Sequence, residues 1–443
     1  MKHILMRTCV SPFEYHTPLE SIERNLIGNN SGNMLFQYSV LRSLLREDTK
    51  VSFITEEDRA AGTISADRIN ATFDMMVLPF ANAFREPFTE ALRGWTRLIR
   101  DVKIPVVVVG IGLQDSLMPT FQNGFPFDED VRKFVDVILE HSARIGVRGE
   151  VSAAYLKHLG YPASSIDIIG CPSLYLWGDY LPMKTPATLT KDSVIGITGS
   201  VGNPPKIKKL LMQIREAFPH YYYIPQLMDD LKLMYAGVPI RNPKARENFP
   251  KDLTSRDFTE DHARFFLTMQ SLLDFMPTLD FDIGTRFHGG VGPILGGVPS
   301  LFMPTDARVQ ELVDYHELVH IPYDKVPQEL DLIRTFESFD FKAPLKNHAQ
   351  RFNHYVDFLK GSGLSVIDDF APGKAPLDRL IKDIPYDPPL KAINVCPPEE
   401  IAARLTAWSE YQRRNAKAGA SPAGSGNLLL RAARKARRML GKR

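Results

Sequence analysis

Two residues in the segment Asp280–Met303, DFDIGTRFHGGVGPILGGVPSLFM, are well placed to do chemistry: Arg286 and His288. An apolar run ends at Gly284-Thr285, and Gly289-Gly290 then opens a small-residue helix before the next apolar run, Pro299–Met303. Side chains at the end of a strand are the ones an α/β protein presents to ligands. An arginine offers a planar fork to a carboxylate or phosphate, and a histidine exchanges a proton near neutral pH. Together they suit an anionic substrate that must be protonated. The plainer reading is an arginine in a structural ion pair and a histidine capping the helix; the pattern leaves both open.

Three further patterns carry weaker signals. The turn Gly28-Asn29-Asn30-Ser31-Gly32-Asn33 precedes the helical run MLFQYSVLRSLL. Unpaired N–H groups at a helix start attract anions, which makes Asn30, Gly32 and Asn33 candidates for substrate contact, with Gly32 permitting close backbone approach. A simple N-cap by Ser31 or Asn33 explains the same letters. Gly110-Ile111-Gly112-Leu113-Gln114 follows the run VVVV and reads as a cleft border or a plain turn. His316 and His320 are four apart, but no acidic or cysteine partner set accompanies them, so structural histidines are expected and no metal site.

Short apolar strands alternate with amphipathic helical stretches, the pattern of parallel sheets covered by helices. Strands are expected at 51–55, 74–78, 106–109, 144–147 and 165–169, with helices at 34–46, 131–141 and 150–159. After a Pro- and Thr-containing junction, Trp177–Lys191, a second series follows: strands 193–198, 221–224, 279–283 and 299–303, and helices 207–218, 262–276 and after Arg286. The expected fold class is α/β: two Rossmann-like domains facing each other across a cleft, glycosyltransferase-B-like, with a C-terminal helical extension. The divisions are 1–180, 190–330, a helical and Pro-rich extension at 331–410, and a basic tail with a flexible linker at 411–443. The ligand site belongs between the two domains, where both sets of strand ends converge.

Composition fits a compact body, with 44% hydrophobic and 24% charged residues. Cys9, Cys171 and Cys396 are too few and too widely spaced for a disulfide framework or a cysteine zinc site, which favours a reducing cytoplasm. The N-terminal apolar run is too short for a signal peptide and is interrupted by Arg7, and Pro105–Leu113 falls far below the roughly 20 residues of a membrane span. Ten of the 54 Lys/Arg and none of the 52 Asp/Glu lie in Tyr411–Arg443, so the body is acidic and the tail strongly basic.

Three segments in order resemble one family. TRFHGGVGPILGGVPSLFMPTDARVQEL is similar to the C-terminal signature of the polysaccharide pyruvyl transferases, an Arg-x-His triplet before a small-residue helix, a Gly-Val-Pro and an apolar strand. Arg148-Gly149-Glu150-Val151-Ser152 with AAYLKHLG and IDIIGCPSL resembles the family's central Arg-x-x-x-Ser and Leu-Gly segment, and Gly28–Asn33 its N-terminal turn. Cys171 stands where many relatives carry Asp, and Thr305-Asp306-Ala307-Arg308 replaces a Tyr-Asp-x-Lys arrangement. The resemblance implies transfer of a pyruvyl group from phosphoenolpyruvate to a sugar of a cell-surface polysaccharide or its precursor, forming a ketal. It implies His288 as acid/base, Arg286 and Arg148 as clamps on the donor's carboxylate and phosphate, and Arg308 as a further anion contact. The donor is then a substrate, with no cofactor expected.

Two other functions fit a chain of this shape: a nucleotide-sugar-dependent glycosyltransferase and a non-catalytic glycan-binding protein. The partners expected are phosphoenolpyruvate and a sugar or lipid-linked glycan acceptor. Nucleic acid is not among them, because the basic run is confined to the tail. Asn427–Arg443 reads either as a solvated tail or as a basic helix with Leu429, Ala432, Ala436 and Leu440 along one face, lying on anionic lipid at the inner face of the membrane.

Overall fold

The computed structural model describes residues 1–184, 188–241 and 249–417. Two all-parallel sheets organise it. The first has the order β2-β1-β3-β4, from β1 (Lys2–Arg7), β2 (Thr49–Ile54), β3 (Met75–Pro79) and β4 (Val106–Val109). A parallel bridge between Ile111 and Val147 continues it into the pair β5 (Ile145–Val147) and β6 (Ile166–Ile168). The second has the order β10-β9-β7-β8, from β7 (Ile195–Thr198), β8 (Tyr221–Tyr223), β9 (Phe281–Gly284) and β10 (Ser300–Phe302). MMVLP in β3 and VVVV in β4 are buried at every position, as strands covered on both faces by helices must be. In each sheet the strand order reverses beside the first strand, at β1/β3 and at β7/β9, which opens a crevice at the carboxyl ends.

Strand β1 corrects the sequence reading of the N-terminus. KHILMR is not merely a short apolar run: it pairs with both β2 and β3 at the centre of the first sheet and carries Arg7 to the crevice. A second correction concerns residues 262–276, expected as one helix. Only Met269–Phe275 is helical; Ala263 bridges to Tyr223 and Phe265 to Leu390 in extended backbone. Residues 263–266 are all buried, as in a strand covered on both faces, and Thr268 then caps the helix by accepting from Ser271 N–H.

One apolar core joins the two units. Leu35, Phe36 and Leu41 of the helix Gly32–Leu44 share it with Phe287, Val291 and Ile294 of the helix Phe287–Leu295. The C-terminal extension crosses between the units twice. Phe336 and Phe341 pack on Phe281 of β9; the helix His348–Gly361 stacks Tyr355 on Tyr175 of the first unit at 5.0 Å; Leu390 then pairs with Phe265. The final helix, Pro398–Lys417, sets Trp408 against Tyr235. Residues 411–417 are therefore helix, not tail: Tyr411 lies 5.1 Å from Trp408 one turn earlier, and Arg414 pairs with Glu23. The expected linker from 418 and the basic segment Asn427–Arg443 lie outside the described residues.

Arg42 locks the extension down. Fully buried, it holds Asp378 through Nε to Oδ1 at 2.9 Å and Nη2 to Oδ2 at 2.7 Å. Its remaining N–H groups donate to the carbonyls of Leu176, Phe370 and Ala371, and Trp177 lies 4.8 Å beneath the guanidinium. Removing one member of such a pair strands the other charge in the interior, so Asp378→Ala is expected to destabilise the fold by about 3–5 kcal/mol. Urea denaturation of the two chains measures it; a loss below about 1 kcal/mol would mean the pair does not hold the extension.

Candidate active site

Arg148 follows β5 at the carboxyl edge of the first sheet. Its Nε donates to Gly110 O at 3.0 Å, and its guanidinium lies 5.7 Å from the centre of the Phe36 ring. Gly112 is required here, because a Cβ at that position would stand 2.7 Å from Arg148 Cδ. The Arg148 Nη2 is buried without a hydrogen-bond partner. From the other unit, His288 in the first turn of the helix Phe287–Leu295 reaches the same aromatic platform, its ring 6.4 Å from Phe36. Gly32 makes room for it: a Cβ there would meet His288 Cβ and Nδ1 at 2.7 Å. Cys171 Sγ lies 3.6 Å from His288 Nε2 and 2.9 Å from Ser173 Oγ.

Arg286 lies two residues after β9, at the N-cap of the helix Phe287–Leu295. Its Nε is buried and unpaired, and among the described residues neither Arg286 nor Arg148 has a carboxylate within 4.0 Å. Burial holds both guanidiniums below their usual range; Asp230 opposes the effect at Arg286, and Cys171 and Glu311 oppose it at Arg148. Arg308 completes the group in the first turn of the helix Ala307–Tyr315, paired with Asp306 through Nη2 to Oδ2 at 2.5 Å. Its positive field reaches Arg148, Arg286 and His288 alike. Three guanidiniums and an imidazole thus come together where the carboxyl ends of both sheets meet.

The central Arg-x-x-x-Ser segment also spans the two units. Ser152 accepts Leu113 N–H at its Oγ and donates that hydroxyl to Glu311 Oε1 at 2.8 Å, while Ser152 N–H donates to Glu311 Oε2 at 3.0 Å. Burial pushes the Glu311 carboxyl up to about 7 and the Asp230 carboxyl, beside Arg286, likewise up to about 7. Glu311, Asp230 and a further cation, Arg85, escaped the sequence reading. Only their places, after a strand end or in the first turns of a helix, marked them.

The turn Gly28–Asn33 borders the groove beside β1 through Gly28, Asn29 and Asn33, but not with free backbone donors. Its N–H groups are already committed: Gly28 to Asn25 O, Asn29 to Asn25 Oδ1, Asn30 to Ile27 O, Ser31 to Gln226 O, Gly32 to Asn30 Oδ1 and Asn33 to Asn30 O. The Asn33 amide donates to Ile27 O and Gly28 O, so Asn30 and Asn33 brace the turn. Gly32 admits His288 rather than a ligand. Ser31 is the N-cap residue, yet its side chain makes no cap bond. His316 accepts Cys171 N–H at 2.9 Å, and His320 lies 2.9 Å from Leu318 O, so both rings are engaged within the fold. Gln114 sits beside Asn82 at 3.3 Å.

His288 is pulled down to about 3, by burial first and then by Arg148 and Arg308. Against an unfolded value near 6.5, the unfolded chain binds more protons between the two values. The stability this ring contributes is therefore complete above about pH 6.5 and is lost as pH falls toward 3. In the ligand-free protein the ring is expected to remain neutral at pH 5 by ¹³C or ¹⁵N NMR; a titration midpoint near 6 would contradict the electrostatic arrangement.

Comparison with curated proteins found no match. Among solved structures, a Methanocaldococcus jannaschii UDP-GlcNAc 2-epimerase in complex with UDP-GlcNAc and UDP is similar at 10% identity and TM-score 0.44, over 81% of this chain and 99% of that one. Anabaena Alr3699/HepE in complex with UDP is similar at 14% identity and TM-score 0.41, over 82% and 98%. Likenesses this remote decide nothing about the chain's chemistry. The family comparison is of another kind: residues 92–306, just under half of the chain and including Arg148, Arg286 and His288, match the model of the Polysaccharide pyruvyl transferase family.

Proposed function

We propose that the protein transfers a pyruvyl group from phosphoenolpyruvate to two hydroxyls of one sugar in a surface glycan or its precursor. The observation that carries this reading is the convergence of Arg148, Arg286, Arg308 and His288, two of whose guanidiniums keep buried donors without partners. A small donor with a carboxylate and a phosphate supplies the acceptors those N–H groups lack. Asp306 leaves Arg308 in place as an anion contact while fixing its fork.

Burial first and the cations second hold His288 neutral; the donor's negative charge offsets the cations, so binding raises the affinity of the ring for a proton. The imidazolium then protonates the methylene carbon of the enol ester, generating an oxocarbenium-like centre at C2. The first sugar hydroxyl attacks that carbon and returns its proton to His288. The second hydroxyl closes the ketal as the C2–O bond to phosphate breaks, and its proton leaves with the phosphate. The guanidiniums stabilise the departing phosphate, and Cys171 packs against the ring that moves the proton.

Incubation with phosphoenolpyruvate and candidate glycans is expected to release inorganic phosphate and add a pyruvyl ketal detectable by mass spectrometry. Release of a nucleotide from a nucleotide sugar instead would establish a glycosyltransferase. His288→Ala is expected to lower turnover by about 10²–10⁴-fold while donor binding persists; retained turnover would remove its role.

No helix among the described residues is long and apolar enough to cross a membrane. The cytoplasmic placement at the inner face of a membrane rests on the basic segment 418–443, seven Lys/Arg without an acid. Deleting residues 418–443 is expected to abolish sedimentation with anionic liposomes and leave turnover on a soluble acceptor unchanged. Equal sedimentation of both chains would discard the membrane contact.

A further inference from the structure

A groove of about 620 Å³ opens at the carboxyl ends of β1, β2 and β3, within the roughly 300–1,000 Å³ range of small-molecule sites. It lies in the first unit, and the residues lining it fall before the span that the family model matches. Arg7 borders it and is only 9% exposed. The Arg7 Nη1 donates to Pro79 O at 3.1 Å, its Nε is buried without a partner, and its guanidinium lies 4.6 Å over the Phe80 ring. Arg85 borders the same groove with its Nε also buried and unpartnered, 5.9 Å from the Phe88 ring. Among the described residues neither arginine has a carboxylate within 4.0 Å.

Three acids line the groove: Glu57 is exposed at its rim, and the other two are engaged elsewhere. Glu56 accepts from Trp95 Nε1 at 2.7 Å and pairs with Arg59 at 2.5 Å, and Glu23 pairs with Arg414. Two arginines set on aromatic rings, neither in direct contact with a carboxylate although Glu56 acts on Arg7 at longer range, form a receptor for an oxyanion flanked by a ring-shaped, partly apolar body. Arg85 also joins the groove to the donor cluster, since burial, Arg308 and Arg148 together lower its affinity for its proton.

We infer that this groove receives the acceptor, and that the acceptor sugar carries an oxyanion met by Arg7 and Arg85. The inference rests on the donor lying with Arg148, Arg286 and Arg308, as proposed above. The oxyanion is either a carboxylate of the sugar itself or a phosphate through which the sugar is linked; both present the same fork-binding chemistry. A neutral sugar would leave the two guanidiniums uncompensated.

The test is titration calorimetry on the full chain with three probes in the gluco, galacto and manno series: methyl glycoside, methyl glycuronide and glycosyl 1-phosphate. At least one charged probe is expected to bind tenfold or more tightly than its neutral counterpart, and glycuronide against phosphate identifies the source of the charge. Arg85→Gln is expected to erase that advantage. Asn82→Asp, which adds a negative charge to the groove wall without changing side-chain size, is expected to weaken the charged probe and spare the neutral one, and it serves if Arg85→Gln melts early. Equal affinities, an advantage that survives both substitutions, or competitive displacement of the charged probe by phosphoenolpyruvate would each overturn the inference. Phosphoenolpyruvate binding, compared between the native chain and Arg286→Gln, reports separately on the donor reading: failure there with charged probes still bound in the groove removes the donor and leaves the anion site standing.

Discussion

The arrangement depends on cations held out of water without matching anions. Arg148, Arg286, Arg85 and Arg7 each keep a buried donor atom without a partner, and among the described residues none has a carboxylate within ion-pair distance. Desolvating an ion costs several kcal/mol even after local relaxation. A fold tolerates this only where the surroundings leave the side chain no alternative. Arg148 shows how: its stem is wedged against Gly112, its Nε is tied to Gly110 O, and its plane faces Phe36. An anion entering the site completes an unsatisfied network rather than displacing an existing one.

That constraint explains why the two units share a core instead of hinging freely. The helix Gly32–Leu44 supplies Phe36 to the platform and Arg42 to the clamp on Asp378, while its first residue makes space for His288 from the other unit. Ser152, four residues after Arg148, is bonded to Glu311, three residues after Arg308. A relative shift of the units would separate Arg148 from Arg308 and expose the Glu311 carboxyl at the same time. The C-terminal extension, crossing twice, adds a second tie remote from the strand ends.

Much of the framework was legible because it rests on local pattern. VVVV is long enough and apolar enough to be a buried strand, and a strand, a small-residue helix and another strand around Arg286 and His288 follow from Gly spacing and apolar runs. What escaped depends on context. Lys2–Arg7 looks like a truncated apolar run until both neighbouring strands are present to pair with it. Residues 262–268 are extended because Ala263 and Phe265 bridge to Tyr223 and Leu390, partners far away in the chain. Arg7, Arg85 and Glu311 resemble any surface charge in the sequence; their burial comes from packing by distant segments, which no local spacing records. The N–H groups of the Gly28–Asn33 turn look free for a related reason, until Asn25, Ile27, Asn30 and Gln226 are seen to occupy them.

The same field that waits for an anion also governs the proton. Burial already disfavours the imidazolium, and with Arg148 unpaired and Arg308 nearby, protonating His288 would add one more positive charge to a positive enclosure, so the ring stays neutral. An oxyanion bound among those guanidiniums lowers the local potential and removes the main obstacle to protonation apart from burial itself. In the proposed reaction recognition and acid–base readiness are therefore linked, and a neutral ligand of identical shape would leave the cations' opposition to the imidazolium in place. The chemistry a site of this kind favours is one in which the substrate's own charge brings in the proton that attacks it.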